Sequence, residues 1–204
     1  MPGDIVASIL QHPVPDRRCA NEGIWLPSTS GTFILASAFR DVRQARNTSM
    51  VFSKVLHPRL PLKVSFFMLR LLMGRLPLPD TLCRLGFHLP SKCFCCHGAS
   101  EESIKHVFAS GHIATEVWSY FVGLCGLNSP SSSLRARIVN WWLRSHNSAI
   151  RRFICLILPS FICWHIWKAR NKAVFEGEQM RSTVICQSIF SEVKSIVEIH
   201  FKQK

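Results

Sequence analysis

Apolar residues recur at spacings of three and four along most of this 204-residue chain, a period that predicts helices. The clearest run lies near the C-terminus. Val184, Ile185, Ser188, Ile189, Val193, Ile196, Val197 and His200 mark one face of a helix over residues 181–201. Before it, helices are predicted over 101–109, 113–124, 133–145 and 149–175. The stretch 64–74 is strongly apolar with Arg70 interrupting, which predicts a helix buried on most of its surface and stopped by Gly74. Pro79 in a first turn starts another helix through Leu85, and one more is predicted over 35–46. Pro58 and Pro61 make 47–64 an irregular connection, and residues 5–10 form a short helix before Pro13 and Pro15.

Two segments break the series. Ile24-Trp25 and Thr32-Phe33-Ile34, separated by Pro27, Ser28, Ser30 and Gly31, predict a short β-hairpin. The polar Ser/Pro stretch 128–133 predicts a boundary between sub-domains. The expected organisation is an irregular segment 1–22, a domain over 23–127 and a C-terminal helical region over 134–204.

The chemistry concentrates at residues 93–112. Cys93 and Cys96 stand two residues apart on a tight turn, and His106 follows ten residues beyond Cys96. Two thiolates on a knuckle and an imidazole from the next helix are how tetrahedral zinc sites are assembled. A fourth ligand is expected within a further helical turn, where Gly111 and His112 stand. His112 and His97 are the candidates, and Cys95 is close enough to substitute. The predicted metal set is Cys93, Cys96, His106 and His112, with zinc as the cofactor. Glu101 and Glu102 read as charges complementing a helix N-terminus.

These residues also carry a resemblance. Cys93 to Cys96, then Glu102-Ser103, His106-Val107-Phe108 and Val117-Trp118, look like the zinc-binding domain found after the reverse transcriptase in plant non-LTR (LINE-type) retrotransposons. Leu60 to Phe67 and Arg75 to Leu82 resemble two further blocks of that family, and Gly23-Ile24-Trp25 with Ser30 to Phe33 its opening. Trp164 to Asn171 and Val174 to Gly177 are similar to the tail that precedes an RNase H domain. The resemblance covers roughly residues 20–178 and departs from the family at Gly111, where the family commonly has cysteine. It implies a reverse-transcriptase zinc-binding-like domain over 23–127 and a reverse transcriptase or RNase H as partner. The fold class expected is mainly α: a helical domain with a short N-terminal β-hairpin and a zinc-knuckle-like insertion.

Charge adds a second partner. The net charge is +13, with two lopsided runs: nine basic residues against two acidic ones over 40–84, and eight against none over 135–172. Such a surface attracts polyanions, and nucleic acid is the commonest. Lys63, Arg70, Arg75, Lys92 and Lys105 surround the knuckle in sequence and are the candidates for contacting RNA or single-stranded DNA; Phe94 and Trp118 could stack bases. The plain alternative is a solvated basic face with both aromatics in the core.

Catalysis finds little support. Asp4, Asp16, Asp41 and Asp80 are isolated, and no polymerase metal pair, nuclease carboxylate cluster, nucleophile triad or phosphate loop is recognisable. The chain is expected not to be an enzyme. Nine cysteines without a visible signal peptide point to a reducing compartment, nuclear or cytoplasmic, and not to secretion. The run 153–167 is uncharged but spans fifteen residues where a bilayer needs about 20, and it contains Pro159 and His165. A buried core helix is expected there. The resulting expectation is a non-catalytic zinc- and nucleic-acid-binding module derived from the region between reverse transcriptase and RNase H. Its alternatives are a degenerate relic that retains neither binding, and a membrane-associated helical protein.

Overall fold

The computed structural model describes residues 6–7, 10–11, 23–42, 49–88, 90–96, 100–127, 133–144 and 146–202. Half of the predicted helix over 5–10, all of the 128–133 boundary but Ser133, and His97 lie outside the described residues. The chain divides into two compact units, Met1–Asn47 and Thr48–Lys204.

In the first unit the expected hairpin is not formed, and no strand occurs among the described residues. Residues 25–31 make successive turns instead. The Trp25 amide donates to Gly31 O (2.7 Å), the Ser28 amide to Trp25 O (3.1 Å), and the Gly31 amide to Ser28 O (3.2 Å). Arms of two or three residues are too short for a ladder, and two strands alone are marginal in water. The hydroxyls of Ser28, Ser30 and Thr32 bond to one another across the turn. The Trp25 indole N–H reaches back to Ser37 Oγ (2.7 Å), tying the loop to helix α1, Leu35–Val42.

The second unit holds the core. Helix α2 (Met50–Val55) lies where an irregular connection is expected, because the prolines bar helix only from residue 58 onward. Helix α3 (Leu62–Leu72) starts directly after Pro61 and ends in a left-handed Gly74 at φ +66°. There the Arg75 amide donates to Arg70 O (2.7 Å) and the Gly74 amide to Leu71 O (3.0 Å), the double closure that favours glycine at a helix C-terminus. Helix α4 (Pro79–Arg84) follows, then the knuckle, a π-helical turn (His106–Ser110) and helices α5 (His112–Leu124) and α6 (Leu134–Leu143). The long α7 (Ala149–Phe175) and α8 (Ser182–Lys202) complete it. Ser133 and Ser148 cap α6 and α7, their hydroxyls accepting amides three residues on.

Helix α7 is the axis of this unit, packed by α8, α3, α6, α5 and the π turn. Its Ile157, Phe161, Ile162, Cys163 and Ile166 have no exposure at all. Phe67 of α3 joins it to the π turn through Phe108, Trp164 and Trp167, at ring separations of 5.3 to 6.1 Å. Trp118 and Trp141 are core residues whose rings lie 6.2 Å apart. Helix α7 is long and apolar enough to cross a membrane, but 61% of its apolar window is buried inside the protein. Packing accounts for its composition.

One polar contact sits inside this core. Glu102, with no solvent exposure, accepts two bonds from Arg170 of α7: Nε to Oε1 at 2.9 Å and Nη2 to Oε2 at 2.6 Å. Glu102 is therefore a buried tertiary partner and not a solvated charge at a helix start. The Arg170 guanidinium also lies 5.4 Å over the Trp167 ring. A bidentate carboxylate–guanidinium pair offsets much of the cost of desolvating both ions, whereas either ion alone cannot be tolerated there.

Arg170→Met is expected to lower stability by about 3–5 kcal/mol, since it strands a buried carboxylate. Glu102→Leu combined with Arg170→Met should recover most of that loss. Urea midpoints of the three proteins check this, and a single substitution costing under about 1 kcal/mol would overturn the assignment.

A pH dependence follows from His165, whose Nε2 lies 2.7 Å from Glu192 Oε2 between α7 and α8. Burial lowers its pKa below 6.5, with Lys168 adding to the effect and Glu192 opposing it. The folded state thus prefers the neutral imidazole, so its contribution is complete above pH 6.5 and is lost as pH falls. His57 is shifted the same way, chiefly by burial. Stability should drop between pH 7.5 and 5.5, and His165→Gln should flatten the drop; an unchanged slope would refute the role given to His165.

Candidate metal centre

The knuckle is built by a minimal antiparallel pairing. Lys92 and Glu101 form an isolated bridge, flanked by the Cys93 amide on Ser100 O (2.8 Å) and the Glu102 amide on Ser91 O (2.6 Å). This clamp fixes where residues 93–96 turn, and the buried Glu102 anchors its outgoing arm to α7. The Cys95 amide donates to Cys93 Sγ (3.3 Å), which orients the first thiol inward. Cys93 is buried while Phe94, at the tip, is 56% exposed.

His106 opens the π turn and swings its ring over the knuckle. Its Nε2 lies 3.1 Å from Cys96 Sγ, and the donor atoms of Cys93, Cys96 and His106 all fall within 4.8 Å of one another. The three residues singled out from spacing are brought together. Two sulfurs and one nitrogen at that separation suit a borderline-soft, tetrahedral divalent ion, and zinc is the standard occupant of such a set. These donors fit the metal.

The local field favours one thiolate. Cys93 is lowered to about 5, first by the Cys95 thiol donating to it, then by the Cys95 amide and the nearby imidazole, against the effect of burial. Cys95 is pushed up by the same contact and by burial. Burial and the neighbouring Cys93 charge raise Cys96, while the His112 backbone amide, hydrogen-bonded to its sulfur, draws it down.

That amide is how His112 takes part. Its imidazole is 71% exposed and lies 3.3 Å from Glu116 one turn along α5, outside the converging donor group. Gly111 closes the π turn, its amide donating to His106 O at 2.7 Å. A Cβ built on Gly111 would stand 2.6 Å from that same oxygen and 3.2 Å from His106 Nε2. A side chain at 111 would therefore point at the imidazole, but the tightness of the turn leaves it no room.

The five basic candidates are all exposed, and none joins an ion pair among the described residues. Lys63 and Arg70 lie seven residues apart on the solvent side of α3, Arg75 follows its C-terminus, Lys92 sits on the knuckle bridge and Lys105 precedes the π turn. Trp118 cannot stack a base: it is 2% exposed, with its indole N–H on Phe108 O at 2.8 Å. Phe66, on the same face as Lys63 and Arg70, is 61% exposed. Its register opposite Val64, Met68 and Leu71 was readable in the sequence as the outward side of the helix. A second thiol contact was not: the Cys155 sulfur lies 3.2 Å from His146 Nε2 and is hydrogen-bonded to the Cys125 thiol.

Residues 33–118, which include Cys93, Cys96 and His106, match the family described as zinc-binding in reverse transcriptase. No curated protein and no solved structure matches the chain.

The closeness of Gly111 to His106 is testable. Gly111→Ala should cost about 1–3 kcal/mol in the presence of chelator, because the π turn must shift to admit a methyl group. Denaturation of the metal-free proteins checks this; equal midpoints would show that the turn is looser than described.

Proposed function

We propose that this chain is a non-catalytic module that holds zinc at Cys93, Cys96 and His106 and binds RNA or single-stranded DNA. We read it as derived from the region between reverse transcriptase and RNase H of a plant non-LTR retrotransposon. The convergence of three soft donors on one point carries this reading, and the family match over 33–118 supports it. Bound zinc would cross-link the knuckle to the π turn and so stabilise the fold outright. Lys63, Arg70, Arg75, Lys92 and Lys105 supply exposed positive charge, and none of them is in an ion pair among the described residues. A polymerase or nuclease partner is part of the proposal, as is an intracellular setting suited to eight free cysteines among the described residues.

One observation favours the second reading, a relic that holds no metal. The family's usual cysteine position is Gly111, and the turn there is closed to a side chain.

Metal content and binding separate the two. The purified protein should carry stoichiometric zinc, and Cys96→Ala should lose it together with the ordered knuckle. Binding to a fluorescent 12-nucleotide RNA should be weak and salt-dependent. If about four phosphates are neutralised, affinity falls roughly fifty-fold between 50 and 200 mM salt. Protein that is metal-free, indifferent to chelator and silent towards RNA at 50 mM salt would establish the relic.

A further inference from the structure

The nucleic-acid reading leaves open where a strand would lie, and one cleft answers that. The end of α3 (Leu71, Leu72 and Gly74), residues Ile104 and Lys105, and the first turn of α6 (Ser133, Leu134 and Arg135) enclose about 500 Å³. That is the size of a small-ligand site, typically roughly 300–1,000 Å³. Its floor is aliphatic. Its charged lining residues are Lys105 and Arg135, from two separate stretches of the chain, and no carboxylate is among the residues that line it. Neither cation is in an ion pair among the described residues.

The cleft is also where the two basic runs meet. Leu71, Leu72 and Gly74, which line it, lie in sequence between Arg70 and Arg75 of the first run, whereas Arg135 opens the second. Separate stretches of the chain thus contribute charge of one sign to one concave surface. Concave low-dielectric walls of one sign focus the field and concentrate a polyanion. Unpaired cations above an apolar floor suit a strand whose phosphates face the walls and whose base edge meets Leu72, Ile104 and Leu134.

We infer that this cleft is the strand-binding site: Lys105 and Arg135 hold backbone phosphates of single-stranded nucleic acid, with a base packed on the aliphatic floor. The inference rests on the nucleic-acid reading above and names the surface that carries it. Lys63 then becomes peripheral, since it lies eleven residues before Gly74, roughly 16 Å along the α3 axis.

Fluorescence anisotropy with 12-nucleotide oligouridylate, on full-length protein whose zinc content and urea midpoint are checked for each variant, tests it. Lys105→Glu and Arg135→Glu should each weaken binding roughly tenfold at 50 mM salt and lower the salt slope by about 0.7, whereas Lys63→Glu should do clearly less. Arg135→Glu stands alone if Lys105→Glu disturbs the adjacent His106. Photocrosslinking of 4-thiouridine within the oligonucleotide should label the peptides holding Ile104 or Leu134. If RNA binds but labels other peptides, and Arg135→Glu behaves like Lys63→Glu, the cleft is refuted while nucleic-acid binding survives. Uridine monophosphate binding as tightly as the 12-mer would refute a strand site. Absence of any binding at 50 mM salt would overturn both readings.

Discussion

A carboxylate with no access to solvent must find its whole hydrogen-bonding environment inside the protein, and Glu102 finds it in Arg170, sixty-eight residues away. Everything near the knuckle depends on that pairing. Glu102 ends the outgoing arm of the knuckle clamp, and Arg170 lies on the helix that forms the axis of the unit. A slip of one residue in the clamp would bury the wrong side chain and leave the guanidinium alone. An ion pair of this kind adds little net stability over an apolar pair, but it makes alternative registers costly. It therefore fixes where Cys93 and Cys96 stand relative to the core.

The imidazole is placed by a different device. Phe108 and Val107 pack into the core while His106 faces the knuckle, and a π turn accommodates both demands by widening the helix at this one point. The consequence is Gly111, whose amide completes the wide turn against His106 O. The turn that aims the imidazole at the thiols also excludes a side chain from position 111. Helix α5 begins at once after it and contributes a backbone amide to Cys96 sulfur. That amide opposes the burial and the Cys93 charge that together raise the Cys96 pKa, so it offsets part of the cost of holding a thiolate there.

Much of this was legible in the sequence wherever the information is local. Period and glycine placed α3, α5, α6, α7 and α8 to within a few residues, and the Cys-x2-Cys spacing with His106 identified the three converging donors. The hairpin was misread because turn residues between short apolar pairs signal a reversal, while strand formation depends on a sheet that no described residue supplies. Glu102 was misread because its partner is remote in sequence: next to Glu101 at a helix start it looks like a dipole charge, and only the fold shows that Arg170 arrives beside it. His112 illustrates a third limit. Spacing predicts which residue is near a metal but not whether its side chain or its backbone faces the site.

The basic surface follows the same division. Charge runs are visible in composition, but composition cannot say whether two runs share a face. Here α3 and α6 are separated by the whole knuckle in sequence, yet the core that α7 organises brings the end of one beside the start of the other. Lys105, on the knuckle's exit arm, completes the cleft, so the Glu102–Arg170 pair that sets the metal ligands also sets one of its charged lining residues. Metal site and basic cleft are thus two faces of a single short segment, residues 102–106, held by one buried contact. A substitution that loosens that contact should disturb both together, whereas one that changes only surface charge should leave the thiols in place.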